Sequence, residues 1–198
     1  MLHVLAALIG YALGCLQLSP LVARRHGVDL RRVGDGNPGA WNALEHLGGR
    51  RALPAFLLDG AKGLAAGLVG LALAGSWGGW LGVAGAMLGH AFPITERLRG
   101  GKSVMCLVGG AVALAPLATL ICLGLCALVS WRRSFAWGAR AGVFAIPLAA
   151  LAVGPRERVL PLVWLMAIVG ALFTLEALRA RRSGRARSAR GAGPTASA

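Results

Sequence analysis

Three short polar segments interrupt an otherwise apolar sequence, and their residues could bind an anion or move a proton. The first is the loop Gly34-Asp35-Gly36-Asn37-Pro38-Gly39-Ala40-Trp41-Asn42. The second is Asp59-Gly60-Ala61-Lys62-Gly63, and the third combines Gly89-His90-Ala91-Phe92-Pro93 with Gly100-Gly101-Lys102-Ser103. Glycine-rich loops expose backbone amides and lysine carries a compact positive charge, so these segments favour phosphate or carboxylate binding.

Each polar segment also has an ordinary structural explanation. A loop rich in glycine and asparagine commonly does no more than connect two helices. Asp59 and Lys62 lie one helical turn apart, so they form either a self-neutralising pair or support for a site. His90 could act as a general base or donate to a phosphate, but alone it is more typical of a helix-end histidine bonded to a carbonyl.

Several other chemistries lack their sequence signatures. Gly100–Ser103 lacks the upstream glycine of a Walker A loop, and there is no Gly-x-Ser-x-Gly nucleophile elbow. No Cys/His pattern has zinc-ligand spacing, and the four cysteines lie within apolar blocks. We therefore expect no metal and no cofactor. The net charge of +14 comes without any nucleic-acid-binding motif, so we expect no nucleic-acid partner.

The composition indicates a membrane protein. Of the 198 residues 57% are hydrophobic and only 14% are charged, and the mean hydropathy is +0.67. A soluble domain carries about a quarter charged residues, and a disordered chain has low hydrophobicity. Apolar blocks of this length predict transmembrane helices.

The distribution of arginine predicts the orientation of these helices. Arg24, Arg25, Arg31 and Arg32 follow the first apolar block, which places the N-terminus outside and residues 24–51 in the cytoplasm. We predict an all-α bundle of about seven transmembrane helices with a cytoplasmic C-terminus. Its segments are 2–23, 52–74, 77–95, two short halves of 103–130 broken near Ala115-Pro116, 134–153 and 159–178.

This topology brings the three polar segments together on the cytoplasmic side. It also divides the chain into a membrane domain, residues 1–178, and a basic tail, residues 179–198. We expect the tail to be disordered and to lie against the anionic leaflet.

In order and spacing, the polar segments resemble the motifs of a known family, the bacterial PlsY family of integral-membrane acyl-phosphate:glycerol-3-phosphate acyltransferases. Its members carry Gly-Ser-Gly-Asn-x-Gly-Ala-Thr-Asn, Asp-x-x-Lys-Gly, Gly-His-x-Phe-Pro and Gly-Gly-Lys-Gly in this order. The likeness runs from about residue 8 to about residue 175, and this chain is identified as a divergent member.

The resemblance implies a reaction and its partners. A fatty acyl group would pass from acyl phosphate to the 1-hydroxyl of glycerol 3-phosphate, giving lysophosphatidic acid in phospholipid biosynthesis. The enzyme would lie in the bacterial plasma (inner) membrane, in contact with membrane lipids, with its active site facing the cytoplasm. The resemblance assigns catalytic roles to His90 and Lys102. It assigns substrate binding to Gly36, Asn37, Gly39, Asn42, Asp59, Lys62, Gly100, Gly101 and Ser103.

Within this set the resemblance implies separate tasks. Lys102, with Gly100 and Gly101, would hold a phosphate, and His90 would orient a phosphate or accept a proton. The loop residues would shape the first segment, and Asp59 with Lys62 would brace the inner site.

The chain also departs from the family pattern. Asp35 replaces a serine, Trp41 a threonine, and Glu45 a basic residue, while Ser103 replaces the last glycine. The family's C-terminal His and Asn have no counterpart in residues 174–182. These departures leave two alternatives: a degenerate paralogue with a different acceptor, or a non-enzymatic membrane protein that binds lipid or a partner.

Overall fold

The computed structural model of the chain describes residues 1–191, and within them every regular element is helical. Two 3-10 helices, Ile94–Glu96 and Arg156–Arg158, accompany the α-helices. The α-helices are α1 (Leu2–Gly14), α2 (Leu18–Arg24), α3 (Ala40–Leu47), α4 (Gly49–Ala91), α5 (Val104–Leu114), α6 (Pro116–Arg132), α7 (Phe135–Val153) and α8 (Val159–Gly191). The predicted all-α architecture is confirmed.

Helix α4 is folded back on itself in the middle. Ala74 and Gly75 have non-helical backbone angles, and they separate a first arm (residues 49–73) from a second arm (residues 76–91). Gly75 has φ 62° and ψ −155°, a conformation that is essentially restricted to glycine. Beyond the bend the arms touch, since a Cβ at Gly70 would lie 2.2 Å from the carbonyl oxygen of Gly78. Small residues thus let the two backbones approach closely, as they do in membrane bundles.

The predicted break near Ala115-Pro116 is present. Helix α5 ends at Leu114, Ala115 has φ −144° and ψ 63°, and Pro116 occupies the first turn of α6. Proline fits that position because its missing N–H has no partner in a first helical turn. The two helices are apolar but shorter than the four long helices described below.

The first apolar block is broken, where the sequence predicted one span over residues 2–23. Helix α1 ends at Gly14 and α2 begins at Leu18. The carbonyl oxygens of Gly14 and Leu16 lie 3.3 and 2.8 Å from Lys62 Nζ. The break therefore frees backbone acceptors for a buried ammonium group. A second difference is that the predicted cytoplasmic loop, residues 24–51, contains helix α3.

Two groups of buried apolar side chains hold the helices together. The larger group joins the second arm of α4 to α5, α6, α7 and α8, and the smaller joins α2 and α3 to the first arm. Fully buried members of the larger group are Val83, Leu107, Ile146 and Leu162. Since lipid is as apolar as leucine, close van der Waals packing is the main source of stability within a membrane.

Among residues 1–191, four stretches are long and apolar enough to cross a membrane: Leu2–Arg24, Gly49–Glu96, Phe135–Val153 and Val159–Arg179. Their outer surfaces are apolar, and Phe144, Leu148 and Trp164 are each more than 60% exposed. Such a surface suits contact with lipid and is rare in soluble monomers. The number of membrane crossings and their direction stay predictions.

The last helix continues past the predicted domain boundary at residue 178. Helix α8 runs to Gly191, so part of the segment predicted as a disordered tail is helical in the structure. Residues 192–198 lie outside the described residues, and the assignment of a separate tail stays a prediction.

Candidate functional site

Four polar side chains from α2 and both arms of α4 meet inside the bundle, and we call them the buried cluster: Ser19, Asp59, Lys62 and His90. Each residue is at most 4% exposed. Ser19 Oγ donates to Asp59 Oδ2 at 2.5 Å, and Lys62 Nζ lies 3.0 Å from Asp59 Oδ1. Each charge therefore has an opposite partner, without which burial would be costly.

Lys62 determines the protonation pattern of His90. Lys62 Nζ lies 2.6 Å from His90 Nδ1 and also contacts the carbonyl oxygens of Gly14 and Leu16. An ammonium group can only donate hydrogen bonds, so His90 Nδ1 must accept. The proton of the neutral ring is then on Nε2, and we assign that tautomer from the hydrogen-bond network.

The other edge of the His90 ring faces the glycine-rich loop of the third polar segment. Gly101 N–H donates to the His90 carbonyl oxygen at 3.0 Å, and Gly100 N–H donates to Ala91 O at the same distance. A Cβ at Gly101 would lie 2.4 Å from His90 Nε2, and one at Gly100 would lie 1.8 Å from His90 O. Only glycine allows this approach, which places the Nε2–H donor beside the loop backbone.

The first polar segment lies against the same loop. The amide oxygen of Asn37 is 3.4 Å from the position of a Cβ at Gly101, and the amide nitrogen is 3.2 Å from that of a Cβ at Gly39. Asp35 Oδ1 accepts from Asn37 N–H at 3.0 Å and so turns the chain. Gly36 completes the turn with φ 72°. The first and third segments therefore meet, as the predicted convergence requires.

Asn42 braces the first segment from inside. Its Nδ2 group contacts the carbonyl oxygens of Leu30, Val33 and Asn37 at 2.9, 3.1 and 3.0 Å. The side chain is 1% exposed. Asn42 therefore shapes the loop, and its amide nitrogen is already engaged by backbone.

Lys102 is held by two carboxylates and one aromatic ring. Its Nζ lies 2.9 Å from both Asp35 Oδ2 and Glu176 Oε2, and 4.9 Å from the centre of the Phe173 ring. We call these four residues the Lys102 cluster. It joins both polar loops to helix α8, which carries Phe173 and Glu176.

The pKa values in the Lys102 cluster favour its charged forms. Burial alone would lower the pKa of Lys102, but hydrogen bonds to Glu176 and Asp35 and their negative charges raise it above its usual value. Burial alone would raise the pKa of Asp35, but the hydrogen bonds from Lys102 and the Asn37 backbone and the charge of Lys102 lower it. Lys102 and Asp35 are therefore both ionised at neutral pH.

Ser103 is placed differently from the rest of the predicted site. It is 1% exposed, and its hydroxyl donates to the carbonyl oxygen of Met87 at 2.6 Å. It ties the start of α5 to the second arm of α4. Its hydroxyl is therefore occupied by a structural contact in this structure.

Two departures from the family pattern contact each other. Trp41 Nε1 donates to Glu45 Oε1 at 2.8 Å on the exposed side of α3. The indole ring also stacks on Phe135, with ring centres 5.8 Å apart. This hydrogen bond couples Glu45 to Trp41, and the stacking ties α3 to the start of α7.

Sequence reasoning missed Ser19, Phe173 and Glu176. Ser19 gives no signal because it is one hydroxyl within an apolar block. Glu176 did give a signal, since it is the only acidic residue after Glu157 and falls within a predicted span. A carboxylate there generally has a cationic partner, and Lys102 was an available one.

The family model described as "Glycerol-3-phosphate acyltransferase" matches residues 4–184. A glycerol-3-phosphate acyltransferase of Agrobacterium fabrum is 36% identical over 167 residues, covering 83% of this chain and 81% of the relative. One from Rubrobacter xylanophilus is 43% identical over 117 residues, covering 59% of each chain. The match to one from Thermoanaerobacter sp. covers 64% of that relative. The chain thus spans less than two thirds of the length of the first curated relatives it matches.

Two solved structures share the fold. One is the crystal structure of PlsY (YgiH), an integral membrane glycerol 3-phosphate acyltransferase, in its glycerol 3-phosphate form. Its TM-score is 0.74 at 25% identity, with 96% of this chain and 92% of that chain covered. The lysophosphatidic acid form has a TM-score of 0.75 at 24% identity, with coverage of 92% and 93%.

Proposed function

Since this chain belongs to the glycerol-3-phosphate acyltransferase family, we propose that it transfers a fatty acyl group from acyl phosphate to the 1-hydroxyl of glycerol 3-phosphate. The products are lysophosphatidic acid and phosphate. The observation that carries the proposal is the junction of Gly100, Gly101 and Lys102 with His90 and Asn37. That junction combines the ammonium group of Lys102, the imidazole N–H of His90 and the side-chain amide of Asn37, which together suit a phosphate.

The reaction needs no nucleophile from the protein. Acyl phosphate is a mixed anhydride, so the acceptor hydroxyl attacks the carbonyl carbon directly. A carbon–oxygen bond to the acceptor forms, the bond to the phosphate oxygen breaks, and the hydroxyl proton ends on the released phosphate. The protein binds and orients the two substrates, which is worth about 7–11 kcal/mol in well-aligned reactions.

Different site residues bind the phosphate, orient it and shape the surrounding loop. Lys102 holds a phosphate, and His90 Nε2–H donates to it. Gly100 and Gly101, whose N–H groups bond to Ala91 and His90, leave room for the phosphate because they carry no side chain. Asp59 and Lys62 hold the imidazole in that tautomer, so of the two roles implied for His90 the geometry favours orientation over proton acceptance. Asn37 lines the junction, while Gly36, Gly39 and Asn42 shape its loop. Ser103 fixes the start of α5.

We also propose that the site faces the cytoplasm of a bacterium, in its plasma membrane. The N-terminus then lies outside and the C-terminus inside, and residues 179–198 lie against the anionic leaflet. The proposal is supported by the grouping of Arg24, Arg25, Arg31 and Arg32 just before the first polar loop, and by Arg31 Nη1, which donates to the Arg99 carbonyl oxygen next to Gly100.

The test uses membranes containing the full chain, acyl phosphate and labelled glycerol 3-phosphate, with lysophosphatidic acid as the readout. We expect product, and we expect Lys102→Ala to lower kcat/KM by at least tenfold, because hydrogen bonds to charged groups contribute about 1.5–3 kcal/mol. Arg32→Ala removes an exposed cation whose side chain is 86% exposed, and it should leave the rate unchanged.

Absence of product from inserted, folded protein would contradict the proposed reaction. Equal losses in Lys102→Ala and Arg32→Ala would instead contradict the assignment of Lys102 to the site.

A further inference from the structure

Lys102 is already bound by anions within the protein. Asp35 Oδ2 and Glu176 Oε2 each lie 2.9 Å from Lys102 Nζ, the separation expected of a substrate phosphate oxygen. One ammonium and two carboxylates leave a net negative charge at the position proposed to bind phosphate. A phosphate must therefore compete with groups that already satisfy Lys102.

The two carboxylates are held differently. The second oxygen of Asp35 accepts from Asn37 N–H, which fixes Asp35 to its loop. Glu176 contacts Lys102 and forms no other hydrogen bond or ion pair with the side chains of residues 1–156 and 158–179, the part of the chain in which side chains are described. Its side chain is 34% exposed, has three rotatable bonds, and lies in the middle of α8. Glu176 is therefore the carboxylate that can leave Lys102 with little loss elsewhere.

We propose that Asp35 and Glu176 determine the enzyme's affinity for its phosphorylated acceptor by competing with it for Lys102. This inference rests on the proposed function, and it concerns the affinity of that same site. When glycerol 3-phosphate binds, its phosphate replaces Glu176 on Lys102, while Asp35 stays and repels it. Both carboxylates thus raise KM without taking part in the acyl transfer, and they act as positioning residues.

The test compares steady-state kinetics of the full chain in lipid nanodiscs. Glu176→Gln and Asp35→Asn remove one negative charge each and keep the shape and a hydrogen-bonding amide. Asp29→Asn is the matched control, since Asp29 is an exposed loop carboxylate that pairs with Arg32 instead. We expect each test variant to lower KM for glycerol 3-phosphate about fivefold. This change corresponds to about 1 kcal/mol, the upper end of the interaction free energies measured for exposed charge pairs. We expect kcat to stay within about twofold and Asp29→Asn to match the wild type.

An unchanged or higher KM in Glu176→Gln and Asp35→Asn would overturn the inference. So would a fall in both kcat and melting temperature without a lower KM, because it would show a purely structural role. If wild-type protein does not turn over these substrates, the proposed function fails, and binding of inorganic phosphate then tests the competition alone. Glu176→Gln must bind inorganic phosphate about fivefold more tightly than the wild type, and equal affinity would overturn the inference.

Discussion

The hydrogen bond from Lys62 to His90 makes the imidazole a donor on its far side. We therefore expect His90→Gln, which keeps an N–H near the position of Nε2, to lose about tenfold in kcat/KM. His90→Leu removes that donor and also leaves the buried Lys62 without one acceptor, so we expect a loss of about a hundredfold and a lower melting temperature. Lysophosphatidic acid formation and thermal unfolding measure the two effects.

Comparing His90→Gln with His90→Leu distinguishes a hydrogen-bond donor role of His90 from a role as general base. A glutamine side chain cannot act as a general base, so a base role for His90 would make His90→Gln as inactive as His90→Leu. Equal losses in both variants, with both proteins folded, would contradict the donor assignment.

At the residue scale, the sequence predicted which polar groups gather but not how each one is used. The short motifs named Gly101, Lys62 and His90, and these three residues lie side by side in the structure. The partners that set their chemistry lie far away in sequence, as Glu176 does from Lys102. Motif spacing carries no information about such a contact, because the contact depends on how α8 packs.

At the element scale, the bend between the arms of α4 depends on Gly75. A Cβ there would meet no atom within 4 Å, so only the backbone conformation excludes other residues. We expect Gly75→Ala to destabilise the protein by about 1–3 kcal/mol. Gly124→Ala is the control, because Gly124 lies in α6 with equally open surroundings and without a positive φ.

Thermal unfolding of the full chain in detergent checks this expectation. Gly124→Ala should be neutral or slightly stabilising, since alanine favours helices more than glycine does. Equal melting temperatures for the two variants would show that the bend does not require glycine.

The breaks between helices show what local sequence can and cannot predict. Glycine at 75 and proline at 116 disturb a helix by their own chemistry, so both interruptions were predictable. The break between Gly14 and Leu18 also has a local cause, because Pro20 has no N–H to donate to the Leu16 carbonyl in a continuous helix. The sequence prediction of one span overlooked this proline. Local sequence could not show that the freed carbonyl accepts from Lys62, which is 46 residues away from Leu16.

At the scale of the whole molecule, the polar loops lie beside arginines that follow the first apolar block, since Arg31 Nη1 donates to the Arg99 carbonyl oxygen at 2.8 Å, and the proposed orientation follows from that asymmetry. Elsewhere, Arg158 Nη1 donates to the carbonyl oxygen of Leu114 at 3.1 Å, so this arginine closes the last turn of α5. We expect green fluorescent protein fused to the C-terminus to fluoresce and alkaline phosphatase fused there to be inactive. The reverse pattern is expected for fusions after Gly154. An active phosphatase at the C-terminus would contradict the orientation.

The placement of Asp59 and Lys62 on one arm has a consequence for how the chain enters the bilayer. The two residues are three positions apart on the same helix, and their side chains are 3.0 Å from each other. The arm therefore carries its own counter-ion, and its apolar part after Arg51 is electrically neutral before any other segment is inserted. This part of the arm can pass from the translocon into the bilayer as a single helix. A span with only the lysine or only the aspartate would carry an unpaired charge until a later segment supplied the opposite one.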